Sequence, residues 1–334
     1  MKIIVPMAGR GSRLRPHTLT VPKPLIPIAG KPIVQRLVED ISSVCNQKIE
    51  EIAFIIGDFG EEVEKSLIQI AESLGAKGSI YHQQEALGTA HAILCAKESL
   101  NGNVVVAFAD TLFKADFSLD NSADGIIWVK QIEDPSAFGV IKLDDNNVIT
   151  DFVEKPNDFV SDLAIIGIYY FNDGKLLSQE LQYLIDNNIK EKGEFQLTNA
   201  LENMKAKGVK FKPGQVNEWL DCGNKDVTVH TNKKVLSLNN EYATVQQPEK
   251  CINSVIIPPC FIGDNVEIID SIVGPHVSIG NHSKVERCVI ENSIIQESSS
   301  IKNTVFKNSM VGNNASYSGT EIDLSIGDYT VIKA

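Results

Sequence analysis

Apolar residues in the first hundred positions fall into short runs separated by stretches of helical spacing. Residues 2–7 read as a buried strand running into the turn Gly9-Arg10-Gly11. Pro32 suits a first helical position, and Ile33, Leu37, Val38, Ile41 and Val44 recur after it at helical spacing. Residues 52–56 predict a second strand, and Val63, Leu67, Ile70 and Leu74 a second helix. A third strand at 79–83 leads into a helix from Thr89 to about Leu100, and a fourth, 104–109, ends at Asp110. Alternation of this kind predicts parallel strand–helix–strand units, hence a doubly wound, Rossmann-like α/β sheet. From 124 to 171 the pattern changes to consecutive strands at 126–129, 140–143, 148–153 and 165–171. Helical stretches follow at 176–185 and 197–207. This strand-rich part is expected to form a substrate-binding lobe attached to the nucleotide half.

Residues 238–249 are polar and aperiodic and mark a linker. Beyond it the composition shifts to Ile, Val, Ser, Asn and Gly. Five aliphatic-Gly pairs occur: Ile262-Gly263, Val273-Gly274, Ile279-Gly280, Val311-Gly312 and Ile326-Gly327. A quartet recurs too, as Asn253-Ser254-Val255-Ile256, Asp270-Ser271-Ile272-Val273, Asn292-Ser293-Ile294-Ile295 and Asn308-Ser309-Met310-Val311. Hexapeptide periodicity of this sort predicts a parallel β-helix, with aliphatic side chains stacked inside successive coils. A two-sheet sandwich would accommodate the alternation but not the quartet. The expected organisation is one domain over 1–238, a linker over 239–250 and a β-helix over 251–334.

The 334 residues carry a net charge of −12, which argues against a general binder of nucleic acid or anionic membranes. Residues 1–38 nevertheless hold seven basic side chains (Lys2, Arg10, Arg13, Arg15, Lys23, Lys31, Arg36) and no acid. A cationic segment on an acidic chain predicts a site for a small, multiply charged anion. The longest apolar runs fall far short of the ~20 residues that span a bilayer. No signal-peptide pattern is evident, and the six scattered cysteines contain no C-x-x-C pair. A cytoplasmic protein with reduced thiols is expected.

Backbone N–H groups in a glycine turn after a first strand can point at phosphate oxygens, and Gly lets the nucleotide approach closely. The dinucleotide fingerprint would need a third Gly where Leu14 stands, and the Walker pattern would need Gly-Lys-Ser/Thr. The continuation is more telling: Arg13-Leu14-Arg15-Pro16-His17-Thr18, then Pro22-Lys23-Pro24-Leu25, which sets a lysine on a stiff loop between two prolines. In this stretch the chain resembles the sugar-1-phosphate nucleotidyltransferases, or NDP-sugar pyrophosphorylases. It is most like glucose-1-phosphate thymidylyl- and uridylyltransferases with a C-terminal left-handed β-helix.

That resemblance implies the following roles. Arg13 and Lys23 would hold the triphosphate and stabilise charge on it, in a loop of Ala8, Gly9, Arg10, Gly11 and Ser12. Gln83 would read the base, with Gly88 against it and Thr89 beside it; an amide that donates and accepts suits the N3–H and O4 edge of uracil or thymine. Asp110 and Asp221 would be the oxygen ligands of Mg²⁺. Glu154 would grip sugar hydroxyls and Lys155 the sugar phosphate, in a pocket lined by Gly139, Gly167 and Glu194. The implied reaction is NTP plus sugar 1-phosphate giving NDP-sugar and pyrophosphate, with dTTP or UTP and glucose 1-phosphate favoured. A mannose-1-phosphate guanylyltransferase is the alternative within enzymes, and a non-catalytic regulatory subunit the alternative outside them. The tail is expected to serve assembly or regulation in a homo-oligomer, with no nucleic-acid or membrane partner. Two positions depart from the family pattern: Arg10 replaces the second Gly of a Gly-Gly pair, and Thr111 follows Asp110 where Asn is common.

Overall fold

A computed structural model describes residues 1–9, 11–45, 47–115, 119–120, 122–245 and 247–320. Arg10 and the pair Ile326-Gly327 lie outside the described residues. In chain order the elements begin β1 (Lys2–Pro6), β2 (Pro27–Ile28), β3 (Lys31–Pro32), α1 (Ile33–Val44), β4 (Glu51–Ile56), α2 (Glu61–Ser73) and β5 (Lys77–His82). They continue α3 (Thr89–Cys95), β6 (Val104–Ala107), β7 (Thr111–Lys114), β8 (Gly125–Gln131), β9 (Gly139–Leu143), β10 (Ile149–Glu154) and β11 (Leu163–Phe171). Then come α4 (Gly174–Asp186), α5 (Leu197–Ala206), β12 (Phe211–Gln215), β13 (Glu218–Asp221) and α6 (Lys225–Leu238).

The chain divides into two compact units, one of Met1–Ile26 and Lys31–Asn224, the other of Pro27–Gly30 with residues from 225 onward. The division thus falls before α6 rather than at the 238/239 boundary expected from sequence. Polar contacts give the reason. Asn232 of α6 accepts from the Ala29 amide at 2.9 Å and from Ser278 Oγ at 2.8 Å, while Tyr242 donates to the Ala29 carbonyl at 3.1 Å.

The first unit is built on one sheet with the strand order β10-β9-β11-β6-β1-β4-β5, with β8 and β12 branching from β11. β1 pairs in parallel with β4 and with β6, β4 pairs in parallel with β5, and β11 runs antiparallel to β6. The strand run expected as a lobe attached to the nucleotide half is an extension of the same sheet. Phe171 and Tyr169 pack into one core with Ile4, Val104 and Val106, so the strand run had no need of a core of its own. Every position of β4 is buried, as in a strand covered on both faces. Its one carboxylate, Glu51, is answered by Lys2 at 3.2 Å, Ser79 at 2.6 Å and Ser99 at 2.9 Å. Ser99 sits on a 3₁₀ turn, Lys97–Ser99, which replaces the last turn expected of the helix starting at Thr89. The short β7, β12 and β13 and the helix α6 had no clear sequence signal; β12 holds both a Pro and a Gly.

In the second unit, strands stack in parallel as coils. β14 (Lys250–Ile252), β15 (Val255–Ile256), β16 (Cys260–Ile262), β17 (Glu267–Ile269), β18 (Ile272–Val273) and β19 (Val277–Ile279) come first. β20 (Lys284–Glu291), β21 (Ile294–Ile295), β22 (Ser300–Lys307), β23 (Met310–Val311) and β24 (Ser316–Ser318) follow. Left-handed backbone recurs at three corners: Asn253, Asp270, Arg287 and Asn303; His276, Asn292 and Asn308; Asn265, His282, Ser298 and Asn314. Seven of these eleven residues are Asn or Asp, types that tolerate positive φ readily outside Gly, and four are not. Three corners per coil of 16 or 17 residues give a three-sided stack, consistent with the expected β-helix. Val266, Ile268, Val273, Val277, Ile279, Val285, Ile290, Ile295 and Ile301 fill its interior. The sequence quartets belong to two different sides: Val255 registers with Ile272, whereas Ile294 registers with Met310. The interval of 22 residues between the second and third quartets is the step from one side to another.

Candidate functional site

In an open α/β sheet, ligands bind outside the carboxyl ends of the parallel strands where the chain order reverses. Here β4 lies on one side of β1 and β6 on the other, so the crevice opens where the glycine turn leaves β1 and Asp110 follows β6. A cleft of about 350 Å³ occupies that position, lined by Ala8, Gly9, Gly11, Lys23, Gln83 and Asp110 among others. A second pocket, about 260 Å³, shares Thr89, Phe108 and Asp110 with the first. It holds Gly139, Glu154, Lys155, Gly167 and Asp221.

The glycine turn is shaped by its neighbours. A Cβ at Gly9 would meet nothing within 4 Å, so the backbone faces open space. Gly11 has φ +61°, and a Cβ there would lie 2.7 Å from that of Lys23. Thr18 donates to the Gly11 carbonyl at 2.8 Å and ties the turn to the loop leading to Lys23. Pro22-Lys23-Pro24-Leu25 includes a 3₁₀ turn that buries Lys23 and aims its ammonium at Asp110 Oδ2, 3.1 Å away. Ser12 and Arg13 lie on an exposed 3₁₀ turn and do not line the cleft. The six described basic residues of 1–38 do not all converge on the cleft: Lys2 pairs with Glu51 and Lys31 with Glu39, and Lys23 is the one of them that lines it.

Gln83 follows β5, its amide nitrogen 3.3 Å from the Gly88 carbonyl and 3.1 Å from His91 Nδ1. Gly88 starts α3 at φ +116°, and a Cβ would lie 2.5 Å from the Phe195 carbonyl oxygen. Thr89 accepts from the Leu197 amide at 3.0 Å and donates to Gln196 Oε1 at 3.3 Å. Glu194 lines the first cleft rather than the pocket that holds Glu154 and Lys155.

Asp110 and Asp221 stand far apart in the chain. They meet because β13 pairs antiparallel with β7, with Asp221 opposite Thr111, and the Cys222 amide donates to the Asp110 carbonyl at 3.0 Å. Burial and then the neighbouring Asp110 carboxylate raise the pKa of Asp221 above the ordinary aspartate value, against Lys23 and the Gly223 and Cys222 amides. Two hard oxygen ligands brought side by side fit a divalent cation. Among the described residues no group of three or more His, Cys, Asp or Glu is placed to hold a metal, so phosphates and water would complete its shell.

In the second pocket a Cβ at Gly139 would lie 3.1 Å from Glu154 Oε2, so that glycine makes room for the carboxylate. Gly167, at φ +85°, sits in a register shift of β11 and accepts from the Phe108 amide at 3.0 Å. Lys155 follows β10 in left-handed backbone at φ 44°, with its ammonium 3.8 Å from Glu154. Such a conformation costs a non-Gly residue about 1–2 kcal/mol and is retained where function or packing requires it. Burial raises the Glu154 pKa; Glu191 and Glu194 add to it, and Lys155 and Lys192 oppose it. Sequence reasoning missed three lining or orienting groups. Thr198 Oγ1 and Trp219 Nε1 are buried in this pocket with no hydrogen-bond partner among the described residues, and His91 holds the amide of Gln83. Thr198 and Trp219 follow no glycine or proline motif, and His91, three residues after Gly88, carries no local sign of the amide it meets.

A glycine turn at the switch point, an acidic pair beside a buried lysine and an adjoining polar pocket define a nucleotide-binding fold suited to phosphoryl chemistry. The chain belongs to the nucleotidyl transferase family, whose profile matches residues 2–237. It is similar to a glucose-1-phosphate thymidylyltransferase of Streptomyces antibioticus, 29% identical over 339 residues that cover 94% of this chain and 92% of the relative. It is also similar to the catalytic subunit beta of mannose-1-phosphate guanylyltransferase from Drosophila melanogaster, 35% identical over 188 residues, 52% of this chain and 49% of the relative. Among solved structures, a UDP-glucose pyrophosphorylase complexed with UDP-glucose shares the fold with a TM-score of 0.59 at 24% identity, covering 71% of this chain and 99% of that one. The chain is thus a sugar-1-phosphate nucleotidyltransferase.

Proposed function

We propose that the protein joins dTTP or UTP to glucose 1-phosphate, with Mg²⁺, to give the nucleoside diphosphate glucose and pyrophosphate. The observation that carries the base assignment is Gln83. Its nitrogen is engaged by the Gly88 carbonyl and His91, and its Oε1 takes no hydrogen bond among the described residues, which leaves an acceptor for the N3–H of uracil or thymine. The nearly full-length similarity to the Streptomyces enzyme supports the same reading.

In this reading an oxygen of the sugar phosphate attacks the α-phosphorus in line and the bond to the β-phosphate oxygen breaks, releasing pyrophosphate. The attacking oxygen is already ionised, so no general base is needed and the site works by positioning and charge neutralisation. Ala8, Gly9 and Gly11 of the turn, together with Arg10, cradle the triphosphate with Lys23 beside them, and Ser12 and Arg13 would reach it from outside the cleft lining. Lys155 holds the attacking phosphate, and Glu154, Gly139, Gly167, Thr198 and Trp219 shape the sugar pocket, while Glu194 acts from the first cleft. Asp110 and Asp221 would hold Mg²⁺, which when bound supplies positive charge to the reacting phosphates. The second unit is a left-handed β-helix through which a homo-oligomer assembles, and the chain acts in the cytoplasm.

Pyrophosphate release from dTTP, UTP, GTP, CTP and ATP against the 1-phosphates of glucose, mannose, galactose and N-acetylglucosamine tests the assignment. Turnover with dTTP or UTP and glucose 1-phosphate is expected. A preference for GTP and mannose 1-phosphate, as the similarity to the Drosophila protein would allow, overturns the role given to Gln83. In the same assay Lys155→Ala is expected to raise the KM for the sugar phosphate about tenfold or more, while the KM for the nucleotide changes little.

A further inference from the structure

One side of the coil stack in the second unit is aliphatic on its outer surface. Val255 registers with Ile272, Ile272 with Val289 and Val289 with Val305, so among the described residues four outward side chains form a straight column. They are 56%, 43%, 43% and 74% exposed, respectively. Water-facing positions on a folded chain need not be polar singly, but a contiguous column four rungs long is a different matter. Beside it runs the corner column Asn253, Asp270, Arg287 and Asn303, each two residues before its aliphatic neighbour. Asn253 donates to Asp270 at 2.8 Å and Arg287 donates to Asn303 at 2.7 Å. Arg287 pairs with Glu286, while Asp270 has no cationic partner among the described residues.

We infer that this face is an isologous contact with a second copy of the chain. A two-fold axis lying in the face, parallel to the strands and passing between the Ile272 and Val289 rungs, reverses the order of the rungs. Each residue then meets the one counted from the other end. Ile272 meets Val289 of the second copy, and Val255 meets Val305. In the corner column the same operation sets Asp270 against Arg287 and Asn253 against Asn303. The one unpaired carboxylate of the column is thereby given a guanidinium twice over, once in each direction. Superposing like rungs needs an axis along the stack, which turns the strands end for end, carries the corner column to the opposite margin and takes Asp270 away from Arg287. At the far margin Ile257, 41% exposed, comes under the aliphatic stem of Lys307.

The face is small. Four rungs at about 4.8 Å and five residues of strand give on the order of 400 Å² per partner with the rims, about half of a standard interface. The dimer is accordingly weak and concentration-dependent. This inference deepens the proposal that the chain self-associates, and it is independent of the assignment of nucleotide and sugar.

Sedimentation velocity of the full chain over roughly a hundredfold range of concentration tests it. A reversible monomer–dimer equilibrium is expected. Ile272→Glu and, separately, Val305→Lys are expected to weaken it at least tenfold with unchanged circular dichroism; both sites face outward, and either suffices if the other variant fails to fold. Asp270→Arg and Arg287→Asp are each expected to weaken self-association about tenfold, and a mixture of the two variants to recover a heterodimer. The corner accepts both residue types, since Asp270 and Arg287 already adopt φ 49° and 52° there. A wild-type chain that stays monomeric removes both the self-association and this face. A dimer indifferent to all four substitutions keeps the self-association and overturns the face.

Discussion

At the scale of single residues, the site turns on charges that the fold forces together. Asp221 has a raised pKa in the folded chain, so its ionised form is disfavoured by folding. That cost is absent below the pKa of the unfolded chain and is felt in full above the raised folded value. At neutral pH, Asp221→Asn is therefore expected to increase the Tm of the metal-free protein, with the gain shrinking as pH falls through the carboxylate range. Mg²⁺ should raise the Tm of the wild type and not of this variant, because a ligand that binds only the folded state stabilises it. Turnover of Asp110→Asn and of Asp221→Asn should drop by at least about a hundredfold. Near-native rates in either variant would remove the acidic pair from the mechanism. His91 offers a second test at this scale. With Nδ1 unprotonated it accepts from Gln83 and presents the amide oxygen to the base, so His91→Ala is expected to lower kcat/KM for dTTP and UTP and to narrow their advantage over CTP. An unchanged ratio across the nucleotides would show that His91 only fills space.

At the scale of elements, glycine positions show where close approach was decided. A Cβ at Gly88 would lie 2.5 Å from the Phe195 carbonyl oxygen and 2.7 Å from its amide nitrogen, and the φ of +116° is itself unfavourable for any other residue. Gly88→Ala is expected to cost roughly 2–4 kcal/mol by denaturant unfolding and to displace α3 from the cleft. A stability within 1 kcal/mol of the wild type, about the size of an ordinary surface change, would contradict this packing. The same scale shows what the sequence could say. The glycine turn, the proline-framed Lys23 and the aspartate closing β6 are local signals, because turn geometry and strand ends are set within a few residues. The β7–β13 pairing that delivers Asp221 had no such signal: both strands are four residues long, and their partnership spans more than a hundred positions. The quartets were legible as a repeat, but the two sides of the coil stack they belong to became distinct only through strand register.

For the whole molecule, the division into units is where sequence order and spatial order part. Residues 27–30 belong by contact with the second unit, and Phe261 lies so close to Gly30 that a Cβ there would fall 2.2 Å from its ring. A chain ending at residue 238 would leave Ala29, Gly30 and Asn232 without Tyr242, Phe261 and Ser278. It is expected to melt at least several degrees below the full chain, and an unchanged melting point would show that 27–30 is stable without those partners. No described helix is long and apolar enough to cross a membrane. By itself the sequence determined the alternation of strands and helices, the glycine turn and the coil repeat, because periodicity and turn chemistry are local and read directly from residue order. Only the tertiary structure decided that the second run of strands joins the first sheet, that Asp221 stands beside Asp110 and that four aliphatic residues line up on one outer face. Each of those depends on register between distant segments, which burial of the shared core selects.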